Sequence, residues 1–181
     1  MAYQNLDVKE AFRVYTGGNT VTVASTSKDG VADVMTVAWN CPYDSDEIIV
    51  ILALSHTTTE NILDTGKFVV AIPEALQKEQ ILKVGSMHGR DCGDKFTASG
   101  VEYELSQKYS FKVLKNCLAY LECTLSDKEL LKKTGICMGH VENLYVRAGL
   151  WNEEFHNFKE GAKLALHHVT EDQFLSGGKD A

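Results

Sequence analysis

Proline is scarce in this chain: two residues, Pro42 and Pro73, in 181. That excludes a polyproline spacer and a proline-rich linker. Basic charge is also in short supply. Lys and Arg number 18 against 25 Asp and Glu, for a net charge of −7. A nucleic-acid partner is therefore not expected, because binding a phosphate polymer needs a basic face. No window reaches the ~18 apolar residues of a membrane span. The opening residues, MAYQNLDVKEAF, have no apolar stretch of the kind that marks a secretory signal. Cys41, Cys92, Cys117, Cys123 and Cys137 are odd in number and contain no Cys-x-x-Cys pair. A disulfide framework and a zinc knuckle are thus disfavoured, and the thiols read as reduced, in a cytoplasmic protein. Glycine-rich nucleotide loops, a Gly-x-Ser-x-Gly elbow and a His-Glu-x-x-His pair are missing as well. His167 and His168 are adjacent, so a strand would point them to opposite faces, and no metal site is assigned.

What remains is an ordinary globular composition, 44% apolar and 24% charged, long enough for one domain over 1–181 with a real core. Asp7 to Glu10 reads as a helix start, with Val8, Ala11, Phe12 and Tyr15 on one face and Gly17-Gly18 as its end. Asn19 to Ser27 and Val31 to Trp39 read as strands joined at Asp29-Gly30. Cys41 to Asp44 breaks the second. Glu47 to Ser55, EIIVILALS, is so apolar that both its faces need cover, from a barrel interior on one side and a helix or second subunit on the other. Lys67 to Ile72 is a further strand, and Glu74 to Val84 a helix with Gly85 as its cap. Residues 101–111 read as a surface crossing. Asn116 to Leu125 and Ile136 to Val146 read as paired strands around a charged tip, with Cys117, Cys123 and Cys137 as small core residues. Residues 151–158 read as a loop or short helix, 163–169 as a terminal strand and 176–181 as disordered. Hairpins and single short helices, with no βαβ rhythm, favour a mainly β fold, a closed antiparallel barrel.

Two stretches carry candidate chemistry. In His56-Thr57-Thr58-Thr59-Glu60-Asn61 a strand end meets a helix start, with Thr57 and Glu60 spaced as a capping box. Free N–H groups there make a natural phosphate seat, the alternative being an over-provided cap. Gly85 to Phe96, GSMHGRDCGDKF, crowds glycines among His88, Arg90, Asp91, Asp94 and Lys95. It reads either as a ligand loop with Arg90 and Lys95 as fixed donors, or as a polar loop whose charges pair with each other.

Three segments together resemble the flavin reductase-like family of FMN-binding split barrels, which includes flavoredoxin. Ala32 to Trp39 is similar to the family's A-N-x-M-T-x-x-W strand. Ser55 to Ile62, leading into Gly66-Lys67-Phe68-Val69-Val70, resembles its Ser/Thr-rich turn and short helix. His88 to Phe96 resembles its S-G-R-D-x-x-K-F, and Gly139 to Glu142 is a weaker match to its I-G-E-V strand. The resemblance covers about residues 10–150. It implies a six-stranded antiparallel split β-barrel, a homodimer, and one FMN per subunit near the interface. By position, Met35, Thr36 and Val37 would line the flavin ring with backbone groups. Ser55, His56, Thr57, Thr59 and Asn61 would hold the ribityl chain and phosphate. His88, Gly89, Arg90, Lys95 and Phe96 would complete the pocket. This sequence departs from the family in having Asp33 for Asn, His56 for Arg or Lys, and one extra residue within the last motif. Asp33 would either lower the flavin's reduction potential or point away from it. His56 would bind phosphate less well as it loses its proton with rising pH. The implied function is an NAD(P)H:flavin oxidoreductase that leaves redox chemistry to the ring, so no catalytic acid or base is assigned. The alternative is a flavoredoxin-like electron carrier passing electrons to a redox protein partner. A third reading, a barrel that binds no flavin, stays open.

Overall fold

A computed structural model describes residues 2–10, 19–154, 156–159, 166–170 and 173–176. Its main sheet runs in the order β3-β2-β6-β9-β10-β5-β4, from Val21–Thr26 (β2), Ala32–Val37 (β3), Asn40–Pro42 (β4), Glu47–Ile51 (β5), Lys67–Ile72 (β6), Ala119–Leu125 (β9) and Ile136–Arg147 (β10). Tyr3–Leu6 (β1) pairs with the C-terminal part of β10, and every pairing is antiparallel. The sheet curls into a half-barrel of eight strands, where six were expected. The additions are the short β1 and β4, whose sequences carry no long alternating pattern.

The 12-residue β10 sets the curl. Its N-terminal half pairs with β5 and its C-terminal half with β1, while β9 runs along the other edge. A bulge between Val141 and Asn143 opposite Glu122 and Cys123 lets one strand serve both directions. Gly139 is needed beside that bend. A Cβ there would collide with the Phe68 ring and come within 3.2 Å of Cys123 Cβ.

β2, β3, β6 and β9 are buried on both faces, which explains strands without polar alternation. In KFVVAI, Phe68, Val70 and Ile72 join an inner core with Val21, Val23, Ile48 and Val50. Val69 and Ala71 join an outer core with Val34, Ile81, Val84, Phe96 and Tyr120. The outer core is covered by Lys78–Gly85 (α2), Lys95–Ser99 (α4) and the hairpin of Tyr103–Leu105 (β7) with Lys112–Leu114 (β8). The first strand of that hairpin, Tyr103–Leu105, lies in the stretch 101–111 expected to cross the surface. The hairpin's strand residues, YEL and KVL, are too few to show a period. Thr57–Thr65 (α1) follows β5 and packs on β2 and β3, with Ile62 in the inner core.

Several local expectations are corrected. β5 ends at Ile51 rather than Ser55, and only its inner face is buried: Ile48 and Val50 are inaccessible, while Ile49 and Ile51 remain partly exposed. The charged tip before β10 is Lys128–Thr134 (α5), capped by Asp127, which accepts from Leu130 N at 2.8 Å. Where a loop or short helix was expected, Trp151–Asn152 (β11) and Asn157–Phe158 (β12) are paired two-residue strands. Leu166–Thr170 (β13) is a strand, paired with Gln173–Ser176 (β14). Near the N-terminus the structure shows one 3-10 turn, Val8–Glu10. The rest of the expected helix there lies outside the described residues, as does 177–181 of the end expected to be disordered, whose first residue, Ser176, closes β14. The close approach at Gly139 gives a test. Gly139→Ala is expected to cost about 1–3 kcal/mol, as overpacking does, read as a lower denaturant midpoint with unchanged slope.

Candidate functional site

β3 is an edge strand, with β2 as its neighbour on one side. Its other edge presents backbone groups that need partners. Lys95 takes one: its ammonium donates to the Val34 carbonyl at 2.7 Å. Strand alternation puts the N–H and C=O of Thr36 on that same open edge, and turns those of Met35 and Val37 toward β2. The Thr36 hydroxyl donates to Ile81 O in α2 at 2.7 Å, pinning the helix across the strand's outer face.

Beside this edge lies a cleft of about 310 Å³ lined by Asp33, Met35, Thr36, Ser55, His56, Thr57, Gly85, Met87, His88, Gly89, Arg90, Asp91 and Lys95. One wall is the start of α1. Its N-cap is His56, with extended backbone and no side-chain cap. The expected capping box is absent, for a geometric reason. Thr57 is the first helical residue rather than the cap, and the Glu60 carboxylate turns outward to Arg90. Imidazole has no oxygen with which to cap the helix start, so the positive end of the helix dipole faces the cleft without a side-chain acceptor. The Thr57 hydroxyl oxygen is buried without a hydrogen-bond partner among the described residues.

The opposite wall is the glycine-rich stretch. It is less irregular than its glycines imply. It forms the end of α2, the turn Gly89–Cys92 (α3) and the start of α4, and of its glycines only Gly93 has positive φ, at 69°. Gly89 is there for close approach: a Cβ would collide with Asp33 Oδ1 and lie 3.0 Å from Thr57 Cβ. The charges of the stretch pair with other elements and not with each other. Arg90 meets Glu60 of α1, Asp94 meets Lys112 of β8 at 2.7 Å, and Lys95 Nζ lies 3.3 Å from Asp33 Oδ1 of β3. Asp94 also caps α4 by accepting from Thr97 N at 2.9 Å. Despite the extra residue in its motif, Lys95 reaches the floor of the cleft.

Nine of the thirteen residues singled out by sequence line this cleft: Met35, Thr36, Ser55, His56, Thr57, His88, Gly89, Arg90 and Lys95. Four lie outside its lining. Val37 is in the inner core and Phe96 in the outer one. Thr59 donates to Ala53 O at 2.8 Å and Asn61 to Ser25 Oγ at 3.1 Å, so both serve the packing of α1. The structure adds Asp33, Gly85, Met87 and Asp91 to the lining. It also adds Thr58, whose buried hydroxyl donates to Asp33 Oδ2. Nothing in a run of three threonines tells which one faces the strand.

His56 and His88 meet edge to face, ring centroids 5.9 Å apart. Burial pushes the His56 imidazole below its ordinary value. Repulsion from His88 and Lys95 adds to this, and Asp33 opposes it only in part.

A family model of the flavin reductase like domain matches residues 15–168. The chain belongs to this family. It is 26% identical over 179 residues to an uncharacterised Escherichia coli K12 protein, YddH, covering 96% of this chain and 94% of that one. Among solved structures it is similar to the FMN-binding domain of a flavin reductases-like enzyme from Shewanella baltica OS155, with a TM-score of 0.89 at 24% identity, covering 99% of this chain and 96% of that chain. The flavoredoxin of Desulfovibrio vulgaris Miyazaki F superposes with a TM-score of 0.78 at 16% identity, covering 91% of this chain and 88% of that one. The half-barrel is thus the split barrel of flavin reductase-like proteins.

The low value of His56 fixes its pH behaviour. The folded state disfavours its protonated form relative to an unfolded value of ~6.5. The stability it contributes is complete above that pH and is lost as pH falls through the lowered folded value. Following the His56 ring protons by NMR, His88→Gln is expected to move the titration upward, since it removes a repelling neighbour.

Proposed function

We propose that the cleft binds FMN and that the protein is a flavin-dependent oxidoreductase taking electrons from NAD(P)H. The observation that carries this reading is the uncapped start of α1, aimed into a cleft whose other edge is open strand. The residues suit the group. Ser55, the Thr57 hydroxyl and the first N–H groups of α1 offer donors to a phosphate. Gly85 and Gly89 keep the wall free of side chains, and the backbone of Thr36 offers both a donor and an acceptor to the polar rim of a flavin ring. When bound, FMN supplies reversible hydride and electron transfer, and the protein supplies binding, orientation and local charge. His56 enters as a neutral donor near pH 7. A phosphate beside it favours its protonated form, so binding takes up a proton and the His56 contribution grows as pH falls.

The anaerobic absorption spectrum after addition of FMN and then NADH tests the reading. Perturbed flavin bands that bleach promptly are the expected result. Bands that persist until a protein donor or dithionite is added favour the electron-carrier role. Unperturbed free-flavin bands contradict flavin binding altogether. Thr57→Val is expected to weaken FMN about tenfold through loss of a hydrogen bond to a charged group, measured by quenching of flavin fluorescence.

A homodimer belongs to the same proposal. The outer face of β4 and β5 carries Cys41, Ile49 and Ile51, next to Met138 of β10, with Trp39 (74% exposed) just before β4 and Leu54 exposed in the turn after β5. This is the uncovered face of the most apolar strand in the chain, and a second copy covers it. Ile49→Asp is expected to convert a dimer to a monomer in light scattering; a monomeric starting protein contradicts the assignment. The five cysteines are free in the structure, in keeping with a cytoplasmic location. No helix among the described residues is long and apolar enough to cross a membrane.

A further inference from the structure

The cations of the cleft are matched by anions. Arg90 is held at the rim by Glu60, where both side chains are about half exposed and the pair is worth little. The Lys95–Asp33 pair is different. Asp33 is 1% and Lys95 4% exposed, so they attract one another through protein rather than water. Lys95 is fixed by the Val34 carbonyl as well as by Asp33 Oδ1, and Asp33 by the Thr58 hydroxyl. Gly89 closes against the same Oδ1. A buried carboxylate therefore sits directly behind the start of α1, next to Thr57, at the end of the cleft suited to a phosphate. Left unpaired, it would repel that group. Paired, it takes the lysine's charge out of play.

We propose that Asp33 determines how the site ranks flavins. By holding Lys95 it withholds a cation from the phosphate, so the preference for FMN over riboflavin is left to the donors at the start of α1 and stays below what a free Lys95 would give it. This rests on the flavin reading above. Asp33→Asn keeps the side-chain shape and an acceptor for Thr58, but leaves the buried ammonium without a counter-ion. A flavin phosphate then becomes its partner, whereas riboflavin has no anion to offer.

The test is the dissociation constant of FMN and of riboflavin, by fluorescence quenching, for the wild type, Asp33→Asn and the double variant Asp33→Asn/Lys95→Met. In the wild type FMN is expected to bind about 10–100-fold more tightly than riboflavin, through the donors at the start of α1. Asp33→Asn is expected to tighten FMN by about tenfold or more while leaving riboflavin unchanged, as for a new charge-assisted contact. The double variant is expected to return the ratio to the wild-type range. It also covers the case in which Asp33→Asn fails to fold, because replacing a buried ion pair whole is well tolerated. Asp33→Asn that tightens both flavins or neither overturns the proposal. So does a double variant whose preference for FMN falls about tenfold or more below wild type, since Lys95 would then already serve the phosphate. A wild type that binds neither flavin overturns the flavin reading along with it; a wild type that binds FMN and an Asp33→Asn whose FMN-to-riboflavin ratio is unchanged overturn this proposal alone.

Discussion

An edge strand packed on both faces has one demand left, the row of backbone groups along its open side. β3 is such a strand, and the rest of the site follows from how that side is treated. Its faces are sealed by the inner core and by α2 and α4. The edge is covered in part, where Lys95 reaches the Val34 carbonyl. One step along, at Thr36, it borders the cleft. The cleft is what remains when the glycine-rich stretch is drawn against β3 by Lys95 and against α1 by Gly89.

Charge is handled by the same stretch. Each of Arg90, Asp94 and Lys95 reaches to a different element, so the segment acts as a three-way tie among α1, β8 and β3. Of these ties only Lys95–Asp33 is withdrawn from water, and it is the one whose removal from one side leaves a buried charge. The resulting floor has no net charge. Asp33 neither points away from the site nor acts on it as a free carboxylate, the two possibilities its sequence position offered.

Much of this was legible from sequence because it is written in long or strongly patterned segments. β2, β3 and β6 announce themselves by β-branched residues, β9 and β10 by long, largely apolar stretches, and α1 by its threonines and terminal Gly66. Elements of two to four residues were not, because a strand such as Tyr103–Leu105 is held by its partner and not by any pattern of its own. The site divides along a similar line. Residues that reach the cleft by local geometry, such as His56 and Thr57 at a helix start, were legible. Thr59 and Asn61, three and five residues on, were not separable from them, since their inward direction depends on where α1 docks. Phe96 looks like a pocket residue within its motif but fills the outer core. The pairing of Asp33 with Lys95, 62 positions apart, is a fact of the folded chain.

The central claim is that the helix start and the open edge of β3 together form a flavin seat. The structure of the protein crystallised with FMN tests it most directly. The account predicts the phosphate at Ser55, His56 and Thr57, the ring along the backbone of Thr36, and Lys95 still held by Asp33. A flavin seated elsewhere, or one whose phosphate displaces Asp33 to take Lys95 for itself, would contradict it.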